Sequence, residues 1–187
     1  FLGVVLFFGG FAIFFAPLPV FLTDVGFDST LVFGLYLISS LGSALFFGPA
    51  GTLTRRYAPT GLQVAGLLAR GALLPTVAVL GIVLATSVAG ITITTLAFLG
   101  IGVSWAVIAV TGGTIVTRLT PPVAHGESLG MYAALSALAG GLGAVFGGYL
   151  ASVGYLVAFG VAGGLVVFGA TLVAVVHLAV TRDGVRS

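Results

Sequence analysis

Long apolar runs broken by short polar interruptions organise this chain. The runs cover about 1–22, 30–52, 62–84, 91–116, 128–152 and 156–180, and polar residues gather at 24–30, 48–61, 85–87, 118–127, 154–155 and 181–187. About twenty residues at 1.5 Å each cross a hydrocarbon core roughly 30 Å thick. Strands of a membrane barrel alternate apolar and polar residues over only about ten positions. The pattern therefore predicts an all-α membrane protein: six transmembrane helices in a single domain, residues 1–187.

Local signals refine the helices. Pro17 and Pro19 loosen the last turns of the first, and Asp28 or Ser29 is placed to cap the second. Arg70 and Pro75 interrupt the third, and Gly154-Tyr155 makes a tight turn before the sixth.

Composition removes the soluble alternative. Of 187 residues, 59% are hydrophobic and 5% charged, with a mean hydropathy of +1.31, whereas soluble domains carry roughly a quarter charged residues. The net charge of +2 rests on six arginines and no lysine, too little for a nucleic-acid footprint. Without cysteine there is neither a disulfide nor a thiolate metal site. No metal or cofactor is expected. The chain opens inside an apolar run without an initiator methionine or a basic leader, and Met131 is its only methionine. That predicts a fragment, or one half of something longer.

Charge sets the topology. With six crossings, Arg55, Arg56, Arg118, Arg182 and Arg186 share one side, while Asp24 and Asp28 lie on the other. Cytoplasmic loops are enriched in arginine, so both termini are expected in the cytoplasm and the helices in the plasma membrane, with the lipid bilayer as principal partner. Thirty glycines suit close helix packing in lipid. The Gly140–Gly148 stretch, with small residues at four-residue spacing, reads as helix packing or as a helix that rocks against a partner. A shift of 96 positions pairs Gly34 with Gly130, Tyr36 with Tyr132, Ser40 with Ser136 and Gly51 with Gly147. That echo splits the chain into three plus three helices, as in transporters built from repeats.

The stretch Gly51-Thr52-Leu53-Thr54-Arg55-Arg56-Tyr57-Ala58-Pro59 resembles the signature loop of the major facilitator superfamily, G-x-L-x-D-R-x-G-R. Gly51, Leu53 and Arg56 match it; Arg55, Ala58 and Pro59 stand where the family has aspartate, glycine and arginine. Such erosion is similar to the second, carboxy-terminal half of a family member. The resemblance implies a secondary transporter of drug-efflux or metabolite type, not an enzyme, whose two six-helix halves alternately expose a midplane cavity. It also implies a missing amino-terminal half, or a second copy, as partner. Helices one and four would line the cavity, two and five flank it, and three and six stand at the edge. The signature loop of one half would contact the start of the fifth helix of the other, giving Glu127 basic partners in the missing half and Arg55 and Arg56 the reciprocal contact.

On that arrangement the cavity candidates are Phe15, Tyr36, Ser40, Trp105, Thr111, Tyr132 and Ser136, which suit a neutral or amphipathic small-molecule substrate. Serine and threonine in membrane helices also bond their own backbone, and Glu127 is equally accounted for by the helix dipole. Arg70 is the one charge inside a span: it snorkels to the cytoplasmic interface, makes a structural contact, or meets substrate. With no carboxylate in a span, His177 is the remaining titratable candidate, as proton relay or interfacial residue. Two other classes remain: a permease subunit working with a separate ATPase, and an intramembrane enzyme using Ser136 and His177.

Overall fold

Proline decides where the first helix breaks. Pro17 has no N–H to give and its ring crowds the preceding turn, so α1 (Leu2–Phe15) stops and α2 (Leu18–Asp24) restarts within the same span. The expected loosening is thus a full break. The computed structural model describes residues 2–84 and 87–184, and all its elements are helical. The chain continues as α3 (Ser29–Arg56), α4 (Pro59–Leu84), α5 (Val88–Leu119), a short 3-10 turn (Pro122–Ala124), α6 (His125–Val153) and α7 (Tyr155–Gly184). Among the described residues, six spans are long and apolar enough to cross a membrane, α1 and α2 together forming the first. His177, Arg182 and Arg186 lie outside the residues whose side chains are described.

Caps and turns fix the ends. The Leu31 N–H donates to Asp28 Oδ1 at 2.9 Å, starting α3, and the Gly90 N–H donates to Ser87 Oγ at 3.1 Å, starting α5. Gly26, at φ 101°, makes the left-handed turn between α2 and α3 that a side chain would resist. Pro49 and Pro75 lie inside unbroken helices, so neither Arg70 nor Pro75 interrupts the third span.

The basic segment differs most from expectation. Nearly all of 48–61 is helical, and only Tyr57 and Ala58 separate α3 from α4. Pro59 opens α4 and disfavours a helical residue before it. Arg55 and Arg56 occupy the last turn of α3, where the helix dipole favours cations. At the polar segment 118–127, α5 runs on to Leu119, and α6 starts at His125 rather than 128.

Packing follows a simple scheme. α5 lies against α3 and α4, α1 against α6 and α7, and α4 also against α7. Phe14, Leu18, Leu22, Phe98, Ile101 and Phe159 fill the fully buried core. α3 and α6 leave most of their surface uncovered. The turn after α2 and the start of α7 share one end of the bundle, where the Tyr155 hydroxyl donates to Asp24 at 2.7 Å.

Candidate functional site

α3 packs along α5, whereas α1 meets α5 through the rings of Phe7, Phe8 and Phe11 against Trp105, and α1 and α3 do not pack extensively on each other. The space left between them is a cleft of about 480 Å³. Phe11 and Phe15 of α1 form one wall, Trp105 of α5 the back, and a stripe of α3 (Tyr36, Ser39, Ser40, Ser43, Phe47) the other wall. Those α3 positions recur at three- and four-residue intervals, so one helical face carries them all.

Arg70 enters this cleft from α4. It lies near the middle of the 26-residue helix, roughly 16 Å along from Pro59 at 1.5 Å per residue. Snorkelling does not describe it: the residue is 1% exposed, and its guanidinium turns inward. The central carbon lies 4.4 Å from the ring centre of Phe11, 5.5 Å from Trp105 and 5.7 Å from Phe15. One terminal N–H donates to the Ile101 carbonyl at 3.0 Å, while the buried Nε has no partner. Rings attract a cation through their electron-rich faces, by about 0.5–2 kcal/mol for a favourable pair. Rings disperse charge, however, and do not neutralise it. The implied position of the third helix at the edge therefore gives way at this residue, whose side chain passes between α1 and α5.

Aromatic contacts continue from the cleft. Phe11 stacks on Trp105 at 5.6 Å, and Phe15 meets Tyr36 edge-on at 5.9 Å. Tyr36 meets Phe98 at 5.7 Å, and its buried hydroxyl has no partner. Comparison with protein-family models, curated proteins and solved structures finds no match. The site is therefore read from its own chemistry.

Of the cavity candidates, Phe15, Tyr36, Ser40 and Trp105 come together in the cleft. Ser40 also donates to the Tyr36 carbonyl at 2.9 Å. Tyr132 stands outside, linked to Trp105 through Phe8 (6.2 and 5.8 Å) and with its hydroxyl against Gly112, and Ser136 donates to the Tyr132 carbonyl at 2.7 Å. Thr111 is no cavity residue: it is fully buried, its hydroxyl against the Gln63 amide oxygen and the Val107 carbonyl. The face of α5 that bears it turns toward α4. Phe11, Ser39, Ser43 and Phe47 are cleft residues that the sequence reading passed over; the periodic stripe on α3 was the available signal.

The other candidates sit at the ends of helices. Arg55, Arg56 and Glu127 are exposed, Glu127 in the first turn of α6 where the dipole favours it. Gly51, Gly140, Gly141 and Gly148 face open space, and Leu53 is half-buried. Gly143 and Gly147 instead press on α1, where a Cβ would land on the Gly9 carbonyl and within 2.7 Å of the Ile13 carbonyl oxygen.

Proposed function

We propose that the protein is a six-helix half of a facilitator-type secondary transporter, carrying a small neutral or amphipathic solute across the plasma membrane by alternating access. The observation that carries this reading is the mid-span cleft, with aromatic walls and polar groups at membrane depth. Polar residues are expensive there, and they mark substrate pathways. The packing scheme also supports it. With the spans numbered one to six, the extensive pairs are 2 with 4, 1 with 5, 3 with 4, 1 with 6, and 3 with 6. Advancing every number by three returns the same set, as two three-helix repeats related by pseudo-symmetry require. The uncovered faces of α3 and α6 suit a second six-helix half or a second copy, and Glu127, Arg55 and Arg56 would contact it.

Counterflow in proteoliposomes tests the reading. Saturable accumulation of at least one labelled solute from an aromatic and aliphatic panel, above protein-free vesicles, is expected. Folded protein that accumulates none, whether reconstituted as a dimer or with its partner half, overturns it. Orientation is tested separately in this cysteine-free chain. An impermeant maleimide outside the cell should label Thr30→Cys and leave Ala58→Cys untouched; the opposite result would put the arginine-rich end outside and both termini with it.

A further inference from the structure

We propose that the cleft selects an amphipathic monoanion, with its negative group on Arg70 and its apolar body between Phe15, Phe47 and Trp105; this rests on the transporter reading above. Charge accounting at membrane depth carries it. Arg70 stays protonated in a protein, and a buried cation needs a counter-charge or a full set of acceptors. It has the Ile101 carbonyl and an unpartnered Nε.

The chain has no carboxylate to give it. Asp24, Asp28, Glu127 and Asp183 are its only acidic residues. Asp24 accepts from Tyr155, Asp28 caps α3, and Glu127 stands in the first turn of α6. Asp183 is in the last turn of α7. All four are at helix ends, whereas Arg70 is mid-helix.

The rest of the cleft fits the same ligand. Ser39 lines it, as does Tyr36 with its unpartnered hydroxyl, and both hydroxyls can donate to an anion. The aromatic walls offer apolar area but no second cation, so a single negative charge is matched and a multivalent anion is not. Shielding by Phe11 and Trp105 lowers the local dielectric, strengthening attraction to an anion that reaches the guanidinium.

Trp105 is the chain's only tryptophan, so its fluorescence reports the site. The test compares quenching by 4-nitrobenzoate and by its uncharged isostere 4-nitrobenzamide, using the protein in phosphatidylcholine nanodiscs. Saturable quenching by the benzoate, about tenfold tighter than by the amide, is expected, the size of one charge-assisted hydrogen bond. Arg70→Gln should abolish the preference and Arg70→Lys should keep part of it. Equal affinities in the unmodified protein, or no saturable binding of the benzoate, overturn the proposal without recourse to any variant. So does an Arg70→Gln protein that retains the preference. Counterflow separates this from the transporter reading. Accumulation of the amide with rejection of the benzoate sinks the anion site alone. Selective benzoate binding by a protein that fails counterflow with the whole solute panel supports the anion site and sinks the transporter.

Discussion

Two extensive helix seams, α3 on α5 and α1 on α6, both close on glycine. In the first, a Cβ on Gly102 would land on the Ser39 carbonyl, and one on Gly42 would lie 2.9 Å from Leu99. In the second, Gly143 and Gly147 meet the backbone of Gly9 and Ile13. Lipid offers no hydrophobic drive between helices, so close backbone approach supplies dispersion contact instead. The seams differ in what lies beside them. Ser43 bridges the first to the Gly102 carbonyl and borders the cleft that holds Arg70, whereas the second presses main chain on main chain. Glycine thus sets how closely helices approach in both; where α1 and α3 stand apart, the space left holds the one charge inside a span.

The largest expected effect tests the shared part of that comparison. Gly102→Ala should cost about 3 kcal/mol or more, at or above the usual range for overpacking, because backbone opposes the new methyl and no flexible side chain can yield. Gly143→Ala should cost about 2 kcal/mol for the same reason. Gly141→Ala, in open space, should be neutral or stabilise by up to about 1 kcal/mol through helix propensity. Denaturant titration in mixed micelles gives the order. A Gly102→Ala protein as stable as Gly141→Ala would mean that the first seam is not closed by glycine.

The next effect tests the difference between the seams. Arg70→Gln should leave stability within about 1–2 kcal/mol while removing the preference for an anion. The substitution gives up the ring contacts and a hydrogen bond worth about 1.5–3 kcal/mol. It also lifts the cost of a mid-membrane charge, about 2.5–3.5 kcal/mol on insertion scales. These terms nearly cancel. A loss above about 3 kcal/mol on the same titration would make Arg70 a structural keystone of the first seam.

The sequence carried the coarse design because the bilayer imposes it. Twenty apolar residues in a row have few folded uses besides a span, so all six spans were readable. The end of α3 was not, because Arg55 and Arg56 signal an interface equally well from a helix or from a loop, and only Pro59 marks the stop. Arg70 was legible as a charge in a span but not in its direction, since snorkelling and inward packing differ only in which helices stand beside it. Thr111 shows the same limit. Its helix was readable, but the face turned toward α4 depends on α4 being there. Among the glycines of α6 the four-residue spacing was visible, yet that Gly143 and Gly147 meet α1 while Gly141 and Gly148 do not is a property of the seam.

The smallest expected effect sharpens the comparison furthest. Ser43 Oγ lies 3.0 Å from the Gly102 carbonyl across the seam and 3.0 Å from the Ser39 carbonyl in its own helix. A hydroxyl has one proton to donate, so the two carbonyls share it. Neither depends on it alone, because both lie inside helices whose ladders engage their carbonyls. Ser43→Ala should therefore cost about 0.6 kcal/mol, the average for interhelical side-chain bonds in a membrane, and less than their maximum of about 1.7. The methyl fills much of the same space, so neither helix has reason to move. If the measured cost approaches that of Gly102→Ala, the hydroxyl, and not the glycine, holds α3 to α5, and the likeness between the seams fails.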